Sequence, residues 1–199
     1  MSLSKQFARK LDELWRRRTA QIRLLVTSRG RGRPRVFSKS VRQKYTNQLL
    51  ELVSRILLKT EGRKEFRSII RERHSRHMRG RGLEQRFRNL FDWAQRWCSG
   101  PIVYVFWRRK QCLYVGKGLT WRRLRRYDKS AYLKDATRLE VFLIKGKSQL
   151  AKAECLATHM FRPRDNRMKP AKAKWGKACP ICKKHDLIRR ELATLFRMK

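Results

Sequence analysis

Between positions 104 and 166 the chain carries Tyr104, Tyr114, Lys117, Arg123, Tyr127, Glu154 and Asn166, a set of side chains suited to phosphoryl chemistry. A guanidinium offers two parallel donors to a phosphate. One carboxylate is enough to anchor a magnesium-class cation, which keeps most of its waters and takes further oxygens from a phosphate. Such a cation offsets charge on the phosphate and on the leaving oxygen. A tyrosine or lysine orients or deprotonates an attacking water when cationic neighbours lower its pKa. The reaction these groups share is phosphodiester cleavage. Tyr, Arg and Glu are common residues, however. The same set is compatible with core tyrosines, a surface arginine helix and an ordinary glutamate.

The elements that position these residues follow from the local pattern. Gly100-Pro101 marks a change of texture, after which residues 102–107 and 112–115 are short β-rich runs. Residues 108–111 between them form a hairpin turn without the strongest turn dipeptides. A basic helix is expected around 121–127, a third strand over 139–144, and a helix over 149–161 that Pro163 ends. Strand, strand, helix, strand, helix makes a small α+β unit over residues 98–168, with three strands and flanking helices. Before it, residues 1–97 read as an all-helical, arginine-rich region broken at 28–35 and 79–82 by Gly/Arg segments. Its first helix is expected over 1–27, and a third helix holds Phe66, Ile69 and Ile70.

On these residues the segment resembles the GIY-YIG nuclease superfamily. In pattern it is most similar to the amino-terminal nuclease domain of the bacterial excision-repair incision enzyme. The first motif stands as Ile102-Val103-Tyr104, the second as Tyr114-Val115-Gly116, with Lys117 next. Arg123 and Tyr127 match the family's arginine and following tyrosine if one residue is deleted after Lys117. Without that gap Arg122 takes the arginine role. Glu154 fits the metal-binding glutamate. Residues 162–166, Arg-Pro-Arg-Asp-Asn, resemble the closing motif, with Asp165 departing from it. The resemblance implies a small antiparallel three-stranded sheet flanked by helices and a Mg²⁺- or Mn²⁺-dependent endonuclease. Tyr104, helped by Lys117, would activate water, Arg123 would meet the phosphate, and Glu154 would hold the cation. Tyr114, Tyr127 and Asn166 would position groups around them. It does not reach residues 1–97 or 170–199.

Cys179-Pro180-Ile181-Cys182 has the spacing of a zinc-knuckle pair. Cys155 and His159 stand four apart on one helix face. Together the four make a three-cysteine, one-histidine set for a structural Zn²⁺, with His185 as the alternative ligand. That site would hold the tail, residues 169–199, against the helix bearing Glu154. Two free thiols in a loop are the plainer alternative. Cys98 and Cys112 read as buried apolar residues.

Charge names the partner class. The 199 residues hold 54 Lys and Arg against 15 Asp and Glu, a net +39. Repulsion of that size is relieved by a polyanion, and nucleic acid releases its counterions when Lys and Arg replace them. No run approaches the roughly 18 apolar residues of a membrane span, and no secretory signal precedes the first helix. The expected compartment is therefore the nucleoid-bearing cytoplasm or the nucleus. Nine Phe and six Trp supply a core, which sets the chain apart from a disordered basic tail. Residues 29–35, with Arg31, Arg33 and Arg35 around Gly32 and Pro34, resemble an AT-hook or minor-groove arm. Arginines on such a thin extended strand enter a narrow, electronegative groove. A basic linker touching phosphates alone is the equal alternative. The reading is a DNA endonuclease of restriction or mobile-element type, acting on double-stranded DNA, with Arg122 as a further contact. One site cuts one strand, so a double-strand break takes a homodimer on DNA or two nicks. The rivals are a repair-type nickase, a non-catalytic nucleic-acid-binding protein on a nuclease scaffold, and an RNA binder.

Overall fold

A computed structural model describes residues 39–127, 134–166 and 179–197, together with Glu13, Arg16, Arg17 and Ala20. Most of the expected first helix, Arg31, Arg33 and Arg35 of the arm, and residues 169–178 of the expected tail lie outside the described residues. The chain forms two compact units, Glu61–Lys183 and Met1–Thr60 with Lys184–Lys199. Among the described residues no helix is long and apolar enough to cross a membrane.

In the second of these units α1 spans Lys39–Leu57. It buries Leu50, Val53 and Leu57. Ser54, on the same buried stripe, donates to Leu50 O at 2.8 Å.

The unit Glu61–Lys183 is α+β. Its elements in order are α2 (Arg63–Ile69), β1 (Ile70–His77), α3 (Leu83–Trp97), β2 (Ile102–Arg108), β3 (Gln111–Gly118), a 3₁₀ helix (Trp121–Tyr127), β4 (Arg138–Ile144) and α4 (Leu150–Phe161). Helix α5 (Pro180–Arg197) begins at its end. The sheet has four antiparallel strands in the order β1-β4-β2-β3. Both the expected three-stranded sheet and the all-helical region before it are thereby corrected. The helix expected through Ile70 stops at Ile69, and the next eight residues form an edge strand on β4. Ile70 is already extended, with φ −80° and ψ 134°.

The sheet is covered on both faces. Ile102, Tyr104 and Phe106 of β2 and Leu139, Val141 and Leu143 of β4 share one face by alternation. There they pack with Phe87, Leu90 and Ala94 of α3 and Leu124 of the 3₁₀ helix. On the other face Phe142 meets Phe66 of α2 at 5.2 Å and Phe161 of α4 at 5.9 Å, centroid to centroid. Trp107 packs edge-on to Phe161 at 5.3 Å. Glu140 is buried on that face, where Arg73 bonds it and Trp107 Nε1 donates to it at 2.9 Å.

The β2–β3 hairpin turns at Arg109-Lys110, with Arg109 at φ 52°. Strand β3 is the second edge, and residues 164–166 cover it. Arg164 N and Asp165 N donate to Cys112 O and Leu113 O at 3.1 and 2.8 Å. Covering an exposed edge removes a template for unwanted pairing.

Candidate functional site

Where β3 runs into the 3₁₀ helix, an open cleft of about 410 Å³ is lined by Tyr104, Tyr114, Lys117, Arg123, Lys147 and Glu154, with Gly118, Leu119, Leu150 and Ala151. Residues from two strands and from helices that are far apart in sequence meet there. Pairing sets Tyr104 opposite Gly116, and Tyr114 diagonal to it. The two rings stack at 6.4 Å with 27° between their planes. Gly116 makes this arrangement fit. A Cβ at that position would stand 2.6 Å from Tyr104 Cζ and Oη. The missing side chain lets the fully buried Tyr104 ring lie across the edge strand and reach the cleft. Gly118 does the same for Arg123, whose Cβ would be 2.6 Å from an added methyl. Glycine inside a strand is the recognised signal of such close approach.

Lys117 alternates to the opposite face of β3, toward α4. Its Nζ lies 2.8 Å from Glu154 Oε2, and the Glu154 side chain is 17% exposed. Glu154 occupies the second turn of α4 and is the only carboxylate among the described residues of the cleft wall. One partly exposed carboxylate meets the minimum a Mg²⁺ ion needs, with waters and phosphate supplying the rest. Lys117 is its competitor.

The other expected positions divide. Arg123 lines the cleft, whereas Arg122 is exposed and outside the lining. Tyr127 closes the 3₁₀ helix, and its side chain lies outside the described residues. Asn166 does not line the cleft. Its Oδ1 accepts from Val115 N at 2.9 Å and its Nδ2 donates to Val115 O at 2.8 Å. The side chain thus imitates a strand residue and holds the β3 edge between Tyr114 and Lys117. Asp165, the departure from the family pattern, is held by both ends of the Arg164 guanidinium at 2.8 and 2.9 Å. Lys147 was not among the residues singled out from sequence. Its only sequence signal is the Gly146-Lys147-Ser148 turn before α4.

Helix α4 carries a second cluster directly beside Glu154. Cys155, His159, Cys179 and Cys182 bring one ligand atom each within 4.8 Å of one another. Cys155 Sγ and Cys182 Sγ are 3.4 Å apart, and His159 Nε2 is 3.2 Å from Cys182 Sγ. A tetrahedral ion with metal–sulfur bonds near 2.3 Å spaces its ligands by about 3.8 Å, so the geometry fits. The three cysteines are buried. The bond from Cys155, with that from Cys182, holds Cys179 well below the usual thiol value. The bond to Cys179, with Cys182 and burial, pushes Cys155 well above it. Soft, thiolate-forming donors suit zinc and not a magnesium-class ion. These four residues could hold a metal ion such as zinc.

His185 is corrected as an alternative ligand. Its Nε2 lies 2.7 Å from Ser54 Oγ and 3.1 Å from Leu50 O, a polar clasp between α5 and α1. Cys98 and Cys112 are buried thiols, each pushed up to about 12 by desolvation. Comparison of the chain with protein-family models, curated proteins and solved structures finds no match.

Proposed function

We propose that this protein is an endonuclease that hydrolyses phosphodiester bonds of DNA in the cleft between β3 and α4. The observation that carries the reading is the convergence of Tyr104, Tyr114, Lys117, Arg123 and Glu154 on one open cleft. Nucleic acid as the substrate rests on the net charge of +39. Arg123 presents paired donors to the scissile phosphate. Tyr104 Oη, fixed against Gly116, orients the attacking water, and Tyr114 stacks behind it. The water oxygen forms the new bond to phosphorus as the bond to the leaving oxygen breaks; the water gives up one proton to solvent and the leaving oxygen takes one up. Lys117, which pairs with Glu154 at 2.8 Å and lines the same cleft, offers its ammonium to the carboxylate or to a phosphate. Glu154 would hold Mg²⁺ or Mn²⁺. When bound, that ion supplies charge neutralisation at the phosphate and leaving oxygen. The cluster of Cys155, His159, Cys179 and Cys182 would hold a structural Zn²⁺ that ties the start of α5 to α4, and so steadies Glu154.

A restriction or mobile-element nuclease fits a compact chain with a basic appended region. A nickase would share the same site. One observation favours a different class, a non-catalytic nucleic-acid-binding protein: Lys117 already neutralises Glu154 at 2.8 Å. Supercoiled plasmid separates the two. Nicked or linear product in Mg²⁺ that EDTA abolishes supports the nuclease. Salt-sensitive binding without product in Mg²⁺ or Mn²⁺ supports the binder. Sequencing the product ends distinguishes restriction-type cutting from random nicking.

A further inference from the structure

Trp97 ends α3 with 58% of its surface exposed. It is nevertheless held in place. His74 of β1 lies 6.2 Å from it between centroids, tilted by 43°. The same imidazole meets Trp93, one helical turn earlier, edge-on at 6.4 Å. His74 Nε2 is in turn 3.1 Å from Glu72 Oε2. Strand pairing sets Glu72, His74 and Arg76 opposite Leu143, Val141 and Leu139, which puts them on the face that carries α3. The indole therefore stands at the β1 edge with the imidazole on one side and much of the rest open.

Cationic groups border it. Arg71 Nη2 donates to Ser99 O at 3.2 Å, which brings a guanidinium to the segment just after Trp97. Arg96, the preceding residue, is exposed as well, on the adjoining face of the helix. Arg71 Nε also lies 3.1 Å from Glu72 Oε1, so the guanidinium is shared between that carboxylate and the segment beside the indole.

A ligand for this corner must have a flat π face and carry negative charge close to it. A nucleobase with its phosphate has both. In a duplex both faces of a base are covered by its neighbours, so an indole gains a stacking partner only from an unpaired base. An apolar protein partner would cover the indole without using the guanidinium, and the net charge of +39 favours a polyanion. We propose that Trp97, backed by His74 and Trp93 and with the Arg71 guanidinium brought close by Ser99, is a stacking site for unpaired bases of single-stranded nucleic acid. It stands at the β1 edge, the opposite edge of the sheet from β3 and the cleft. It is independent of whether the cleft cuts.

The test measures binding of the full chain to a fluorescent 12-mer of oligothymidine and to a blunt duplex, in EDTA. Trp97→Ala should weaken single-strand binding by about 5- to 150-fold, the worth of one stacked base, and shift duplex binding by less than about twofold. Trp97→Phe should recover most of the loss, and Arg71→Ala should weaken the single strand in the same direction. Thermal melting of each variant shows that the exposed position leaves folding intact. Equal loss on both substrates, or no loss on either, overturns the proposal. So does a wild-type dimer that Trp97→Ala dissociates without changing oligonucleotide affinity, because the patch would then join two copies of the chain.

Discussion

Replacing Gly116 with alanine places a methyl carbon 2.6 Å from Tyr104 Cζ and Oη and 2.7 Å from Cε2. Carbon atoms in ordinary contact lie about 3.5–4.0 Å apart, so the ring must retreat by roughly 1 Å. It has little room. Tyr104 is fully buried, with Phe106 at 6.0 Å on one side and Tyr114 at 6.4 Å on another. Overpacking of this kind costs about 1–3 kcal/mol, while alanine is favoured over glycine in a strand by roughly 0.5–1 kcal/mol. The net expectation is a destabilisation of about 1–2 kcal/mol, read by urea unfolding. In a Tyr104→Ala background the methyl meets empty space. The sign then reverses, and the same change stabilises by roughly 0.5–1 kcal/mol. A double-mutant cycle isolates this coupling. Cleavage should fall further than stability does, since a 1 Å displacement of a positioned group can cost about 100-fold. Equal costs of Gly116→Ala in the two backgrounds would refute the claim that this glycine exists to admit the tyrosine ring.

Purified protein should carry about one zinc per chain. Cys182→Ser should lower metal content and melting temperature together, whereas Cys98→Ser and His185→Ala should leave the metal in place. Metal analysis that finds no zinc, or zinc retained in Cys182→Ser, counts against the cluster. Asn166→Ala strands both the N–H and the C=O of Val115 on the sheet edge, at a cost of about 1–3 kcal/mol. Hydrogen exchange at the Val115 amide should accelerate, and unchanged protection would show that another group covers that edge.

Much of the sheet was legible because apolar side chains announce it. The β-rich runs in β2, β3 and β4, and the apolar face of α4, place those elements to within a few residues. Strand β1 was hidden for a physical reason. Ile70-Arg-Glu-Arg-His-Ser-Arg-His has no apolar alternation, because an edge strand leaves most of its side chains in water. The glycines of β3 were visible, but what they admit was not. Which ring or arginine stem crosses Gly116 or Gly118 depends on pairing register and on the 3₁₀ helix. Asn166 shows the opposite limit. Its place near the other site residues was readable, yet its bonds go to the Val115 backbone, and no spacing rule reveals that. The four members of the cysteine–histidine cluster were readable because a C-x₂-C pair needs two more donors to hold a metal and α4 offers Cys155 and His159 one turn apart. His185 was equally near in sequence. Its bond to Ser54, more than a hundred positions away, could be seen only in the fold.

The central claim is tested most directly by single-turnover cleavage with Glu154→Ala, at protein concentrations where binding is saturated and measured in parallel. The account predicts that the variant folds, binds DNA as tightly as wild type or slightly more tightly, and cuts at least about 100-fold more slowly in Mg²⁺. Removing a negative charge beside a polyanion cannot by itself weaken binding, so loss of cutting alone assigns the carboxylate to chemistry. A folded Glu154→Ala protein that cuts at the wild-type rate would contradict the account.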